Sequence, residues 1–61
     1  MKYTYYKVIQ QNWGHGWDDV DFYECDSSFY PKDYKLFKEN LKAYRENQPV
    51  PTRVIKRRVL N

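Results

Sequence analysis

A chain of 61 residues carrying a net charge of +3 is expected to form one domain spanning residues 1–61, burying only about 60% of the surface its unfolded form exposes. One cysteine, Cys25, and one histidine, His15, exclude an internal disulfide and fall short of a four-ligand zinc set, so no metal or cofactor is expected. No stretch approaches the roughly 20 apolar residues of a membrane span, the start of the chain lacks the apolar run of a signal peptide, and a lone unpaired cysteine suits a reducing compartment; the expected location is cytoplasmic, with no membrane partner.

Tyr3–Gln11 is rich in β-formers and reads as the first strand, with Tyr5, Lys7 and Ile9 on one face and Tyr6, Val8 and Gln10 on the other. Which face is buried stays open. Asn12–Asp19 follows, where Gly14 and Gly16 bracket His15 and two tryptophans, Trp13 and Trp17, flank the glycines. Glycine accepts positive φ without steric cost, so this stretch reads as a turn. Asp19–Cys25 then forms a second strand, placing Val20, Phe22 and Glu24 on one side and Asp21, Tyr23 and Cys25 on the other.

Asp26-Ser27-Ser28 breaks the strand, and Pro31 opens a helix predicted over about residues 31–47. At 100° per residue, Tyr30, Tyr34, Phe37, Leu41 and Tyr44 fall in an arc of about 80°. Lys35, Lys38, Glu39, Lys42 and Glu46 lie opposite, and Leu36 is either a flanking contact or exposed. Pro49 and Pro51 end the helix, and Thr52–Leu60 is the third strand. The predicted fold class is α+β, in the order β-β-α-β: a three-stranded, mainly antiparallel sheet covered on one face by a single helix. Strand order remains undecided at this point.

Three strings, Gly14-His15-Gly16-Trp17-Asp18-Asp19, Tyr44-Arg45-Glu46-Asn47-Gln48-Pro49 and Arg53-Val54-Ile55-Lys56-Arg57-Arg58-Val59, resemble a group of very short bacteriophage and prophage proteins. That group shows a Gly-aromatic-Gly-Trp-acid-acid loop, a Tyr-Arg-Glu-Asn helix end and a basic final strand. His15 and Gln48 depart from the pattern, standing where an aromatic and an acid are usual. The resemblance implies a phage source and the cytoplasm of a host cell, and it carries no catalytic residue across.

The loop histidine invites a general-base or metal role, but a base needs an orienting partner and a water-excluding pocket. The plainer account is a glycine turn with His15 in solvent and the two tryptophans covering one end of the core. Five of the eight acids lie between Asp18 and Asp26, whereas the other 52 residues sum to +8. The acidic run lacks the register of an EF-hand loop and reads as a solvated strand edge. Cys25 reads as a packed, inert thiol.

Tyr3, Tyr5, Tyr6, Phe22, Tyr23 and Phe29 exceed what one sheet face needs, and surplus rings beside arginines are interface composition. The favoured expectation is a small non-catalytic, phage-type accessory protein that binds a protein partner or a second copy of itself. Trp13, His15, Trp17, Tyr5 and Tyr23 are its candidate contacts, and no small-molecule substrate is expected. The alternative is nucleic-acid binding through Arg53, Lys56, Arg57 and Arg58 with sheet tyrosines. Strand alternation, however, sends Lys56 and Arg58 to one face and Arg57 to the other.

Overall fold

A computed structural model describes residues 2–61. Three strands, β1 (Tyr3–Asn12), β2 (Trp17–Cys25) and β3 (Thr52–Leu60), and one helix, α1 (Tyr34–Asn47), follow in the order β1-β2-α1-β3. The sheet is antiparallel throughout and its spatial order is β2-β1-β3. This is the predicted α+β architecture, with the first strand at the centre.

The central position suits β1 because Lys7 is its one charged residue, whereas β2 and β3 are heavily charged and lie at the edges. Val8 and Ile9 are 1% and 0% exposed, and Gln10 and Gln11 beside them are also buried. Burial of an amide is tolerable only with hydrogen bonds. Gln10 Nε2 donates to Asp19 Oδ1 at 2.7 Å and Gln11 Nε2 donates to Thr52 Oγ1 at 3.3 Å.

The register places Tyr5 opposite Cys25 and Arg58, Lys7 opposite Tyr23 and Lys56, and Ile9 opposite Asp21 and Val54. Directly opposed residues share a face, and α1 packs on this one. Phe37 is the buried residue of the helix. Its ring meets Tyr23 edge-on at 5.4 Å, and the Lys7 ammonium lies 5.5 Å from its centroid. Asn40 Nδ2 donates to the Tyr23 hydroxyl at 2.6 Å, and the Tyr44 hydroxyl donates weakly to the Val20 carbonyl at 3.4 Å. The helix therefore sits over the β2–β1 half of the sheet.

The helix starts later than the proline predicts. Pro31 is buried in an isolated antiparallel bridge to Cys25, and Asp33 caps the helix by accepting from the Leu36 N–H at 3.1 Å. Tyr30 is thus outside α1, and the predicted five-residue apolar stripe is narrower than expected. Tyr30 and Tyr34 are 55% and 40% exposed and stack on each other at 5.0 Å, while Leu41 and Tyr44 are half-buried. Leu36 is exposed.

Between β2 and α1, the Asp26 carboxylate accepts from the Ser28 N–H and hydroxyl and from the Tyr30 N–H. These bonds, led by that from the Ser28 hydroxyl, hold its carboxyl below the usual range. Within this turn Phe29 adopts φ 62°, rare for a bulky residue, and its ring meets Tyr5 edge-on at 5.1 Å.

Candidate protein-binding face

The face of the sheet turned away from α1 carries Tyr6, Val8, Gln10, Phe22, Asp19, Arg53, Ile55, Arg57 and Val59. One irregularity decides its composition. The β1–β2 register shifts between Ile9, opposite Asp21, and Gln10, opposite Asp19, leaving Val20 as an extra residue. A bulge of this kind re-aims the side chains beyond it. Strict alternation would set Asp19 on the helix side with Asp21. The bulge turns it to the open side, beside Phe22 and Gln10.

A polar chain crosses all three strands there. The Arg53 guanidinium lies 4.1 Å above the Trp17 ring, and its Nε donates to Gln10 Oε1 at 2.8 Å. Gln10 in turn donates to Asp19, which accepts from Arg57 Nη1 at 2.6 Å and from Nη2 at 3.4 Å. The bond from Arg57, then that from Gln10, hold the Asp19 carboxyl below its ordinary value. Asp19 and Arg57 neutralise each other, and Arg53 is held by the Trp17 ring and the Gln10 amide.

Beside this network lies an apolar patch. Phe22 is 66% exposed and Val59 44%, and the Tyr6 ring meets Phe22 edge-on at 5.8 Å. Tyr6, Val8, Asp19, Phe22, Arg57 and Val59 line an open depression of about 190 Å³. Val8 forms its floor, covered by side chains of its own face because the helix is on the other.

The predicted contact residues do not gather in one place. Trp13, His15 and Trp17 stand together at the β1–β2 turn, but the tryptophans are 51% and 37% exposed and do not cover the core as expected. The reason is reach: the helix hydrogen-bonds to β2 through Tyr44 only as far as Val20 and Asp21, short of the hairpin tip. His15 Nε2 lies 3.1 Å from Asp18 Oδ2 with both side chains largely in solvent. Tyr5 and Tyr23 are on the helix side, half-buried against Phe29 and Phe37. The Tyr23 hydroxyl donates to Asp21 at 2.6 Å. Burial first, then this bond, push its pKa up to about 12.

The four basic candidates divide as alternation predicts. Arg53 and Arg57 are tied into the open-face network, whereas Lys56 and Arg58 lie on the helix side. His15, in the turn, and Cys25, at the far end of β2, are not brought together. Burial raises the Cys25 thiol pKa. Among the described residues, no three His, Cys, Asp or Glu side chains gather in a way that could hold a metal ion, and no helix is long and apolar enough to cross a membrane. The exposed Phe22 and Val59 and the half-buried Tyr6 are not among the candidate contacts, although Tyr6 and Phe22 count among the surplus rings, because the sequence leaves the covered face of the sheet open. Comparison with protein-family models, curated proteins and solved structures finds no match.

Proposed function

We propose that the chain is a non-catalytic, phage-type accessory protein that acts by binding a protein surface, or a second copy of itself, through the open face of its sheet. The observation that carries this reading is the Phe22 patch: a large ring two-thirds exposed, next to Tyr6 and Val59, with an ion pair at its margin that is already satisfied. Apolar centres bordered by hydrogen-bonded charges are what well-packed interfaces contain. An Asp19–Arg57 pair that keeps its own bonds also needs no new partner when water is excluded.

The test compares the wild-type chain with Phe22→Ser, whose side chain is exposed and whose folding should be unaffected. Sedimentation over a wide concentration range reports self-association, and affinity capture from host lysate reports a foreign partner. The reading predicts that at least one complex formed by the wild type is lost in the variant. If every complex survives Phe22→Ser, or if the wild type forms none, the open face is not a binding surface.

A further inference from the structure

The helix-side face holds a second charged surface, which the Phe22 patch does not involve. Because α1 covers only the β2–β1 half, the β3 half of this face stays open. Lys56 and Arg58 stand on it, and Lys7, at the border with the helix, is directly opposite Lys56, as Arg58 is opposite Tyr5. Lys56 and Arg58 are exposed. Among the described residues, none of the three is in an ion pair; the four pairs present involve His15, Lys32, Lys42 and Arg57.

Each of the three cations is instead held over an aromatic ring. Arg58 Cζ lies 4.2 Å from the Tyr3 centroid, Lys56 Nζ lies 5.5 Å from that of Phe29, and Lys7 Nζ lies 5.5 Å from that of Phe37. Tyr3 and Tyr5 are neighbours at 6.4 Å, and Tyr5 meets Phe29 edge-on. Tyr3, Tyr5 and Phe29 thus form a row of rings, with Arg58 over the first and Lys56 over the last, neither of them in an ion pair. The unusual φ of Phe29, secured by the Asp26 turn, is what brings the last ring into this row.

We infer that this half-face binds single-stranded nucleic acid, with Lys7, Lys56 and Arg58 on the phosphates and the Tyr3–Arg58 and Tyr5 surfaces stacking bases. A phosphate backbone supplies the missing negative charge, and aromatic rings and guanidinium planes accept unpaired bases of any identity. An acidic protein segment would match the cations but not the row of rings. A duplex hides the base faces that those rings would need.

Fluorescence anisotropy with labelled oligo(dT) and oligo(U), using the full chain, tests the inference. With three phosphate contacts on a single strand, affinity should fall by about 20-fold between 50 and 200 mM salt. Lys56→Gln with Arg58→Gln should abolish most binding at low salt, and Tyr3→Ser should weaken it while leaving the salt slope nearly unchanged. Lys35→Gln with Lys42→Gln, which removes the same charge from the exposed side of α1, should leave binding within about twofold of wild type, since those lysines contact no phosphate in this arrangement. Circular dichroism establishes that each variant is folded; should Lys56→Gln with Arg58→Gln unfold the chain, Lys56→Gln alone replaces it. Absence of binding at low salt, equal loss in the two double variants, or binding of poly(glutamate) as tight as that of oligo(dT) overturns the inference. Phe22→Ser leaves this surface intact, so failure here and failure of the protein-binding reading are separate results.

Discussion

Truncating Phe37 measures the most deeply buried contact between helix and sheet. The side chain is 6% exposed, is the single buried residue of α1, and touches Tyr23 and Lys7. Burial of a phenylalanine that is then cut to alanine costs about 3–5 kcal/mol. Phe37 lies under a lone helix near the edge of a thin molecule, 39 × 27 × 12 Å across its Cα atoms, so water can enter the space left. The lower end, about 3 kcal/mol, is the expected value. A domain of this length has a total stability of roughly 3–9 kcal/mol, so Phe37→Ala removes a third of it or more. With a urea m-value of about 1 kcal/mol/M for a small domain, the unfolding midpoint should drop by about 3 M. Tyr34→Ala and Leu36→Ala, on exposed positions of the same helix, should stay within about 1 kcal/mol of wild type. Equal losses at Phe37 and Tyr34, or a loss below about 1 kcal/mol at Phe37, would show that α1 presents a different side to the sheet.

Gly14 and Gly16 have φ of +108° and +112°, and nothing lies within 4 Å of a Cβ added at either. Alanine at each should therefore cost about 1–3 kcal/mol through backbone strain alone, measurable by urea unfolding, while D-alanine in a synthetic chain should be neutral or stabilising. Tyr23 should titrate near pH 12, against an ordinary value of 10.0, in an ultraviolet absorbance titration. Because its folded pKa is raised, its contribution to stability is complete below pH 10 and is lost as pH climbs from 10 towards 12; a Tyr23 titration at the ordinary value would contradict its burial under Phe37. Cys25, 3% exposed with a raised pKa, should react with a thiol-specific disulfide reagent far more slowly in the native chain than in urea. Equal rates would mean that the Cys25–Pro31 bridge does not hold.

The strands were legible because their β-formers lie in runs punctuated by glycine and proline, and the helix because Phe37, Leu41 and Tyr44 recur at helical spacing. Its true start was not, since Pro31 satisfies a first helical turn as readily as the bridge to Cys25 that it makes. Strand order was decided by the poverty of charge in β1, which was visible in the sequence but has meaning only once three strands compete for the centre. The composition of the open face was hidden for another reason. A bulge at Val20 moves Asp19 across the sheet, and alternation carries no mark of where an extra residue will be accommodated. Without that shift Asp19 leaves the face of Gln10 and Arg57, and the Arg53–Gln10–Asp19–Arg57 chain does not form.

The same features bear on why association is proposed through faces and not through sheet edges. The outer edge of β2 is interrupted by the bulge at Val20. Further along, it is occupied by the Cys25–Pro31 bridge and by the Lys32 N–H, which donates to the Glu24 carbonyl at 3.0 Å. Lys32 and Glu24 are also joined through their side chains, which raises the Lys32 pKa. The outer edge of β3 is regular and unobstructed, yet Arg53, Lys56, Arg57 and Arg58 lie along it, and a second β3 beside it would set cation against cation. Pairing β3 with the acidic β2 of another copy would relieve that repulsion, but the bulge at Val20 and the engagement of Glu24 and Cys25 by Lys32 and Pro31 leave only short stretches of that edge free. Local chemistry disfavours both routes to an extended sheet, which is why the proposed binding surfaces are the Phe22 face and the Tyr3–Arg58 face.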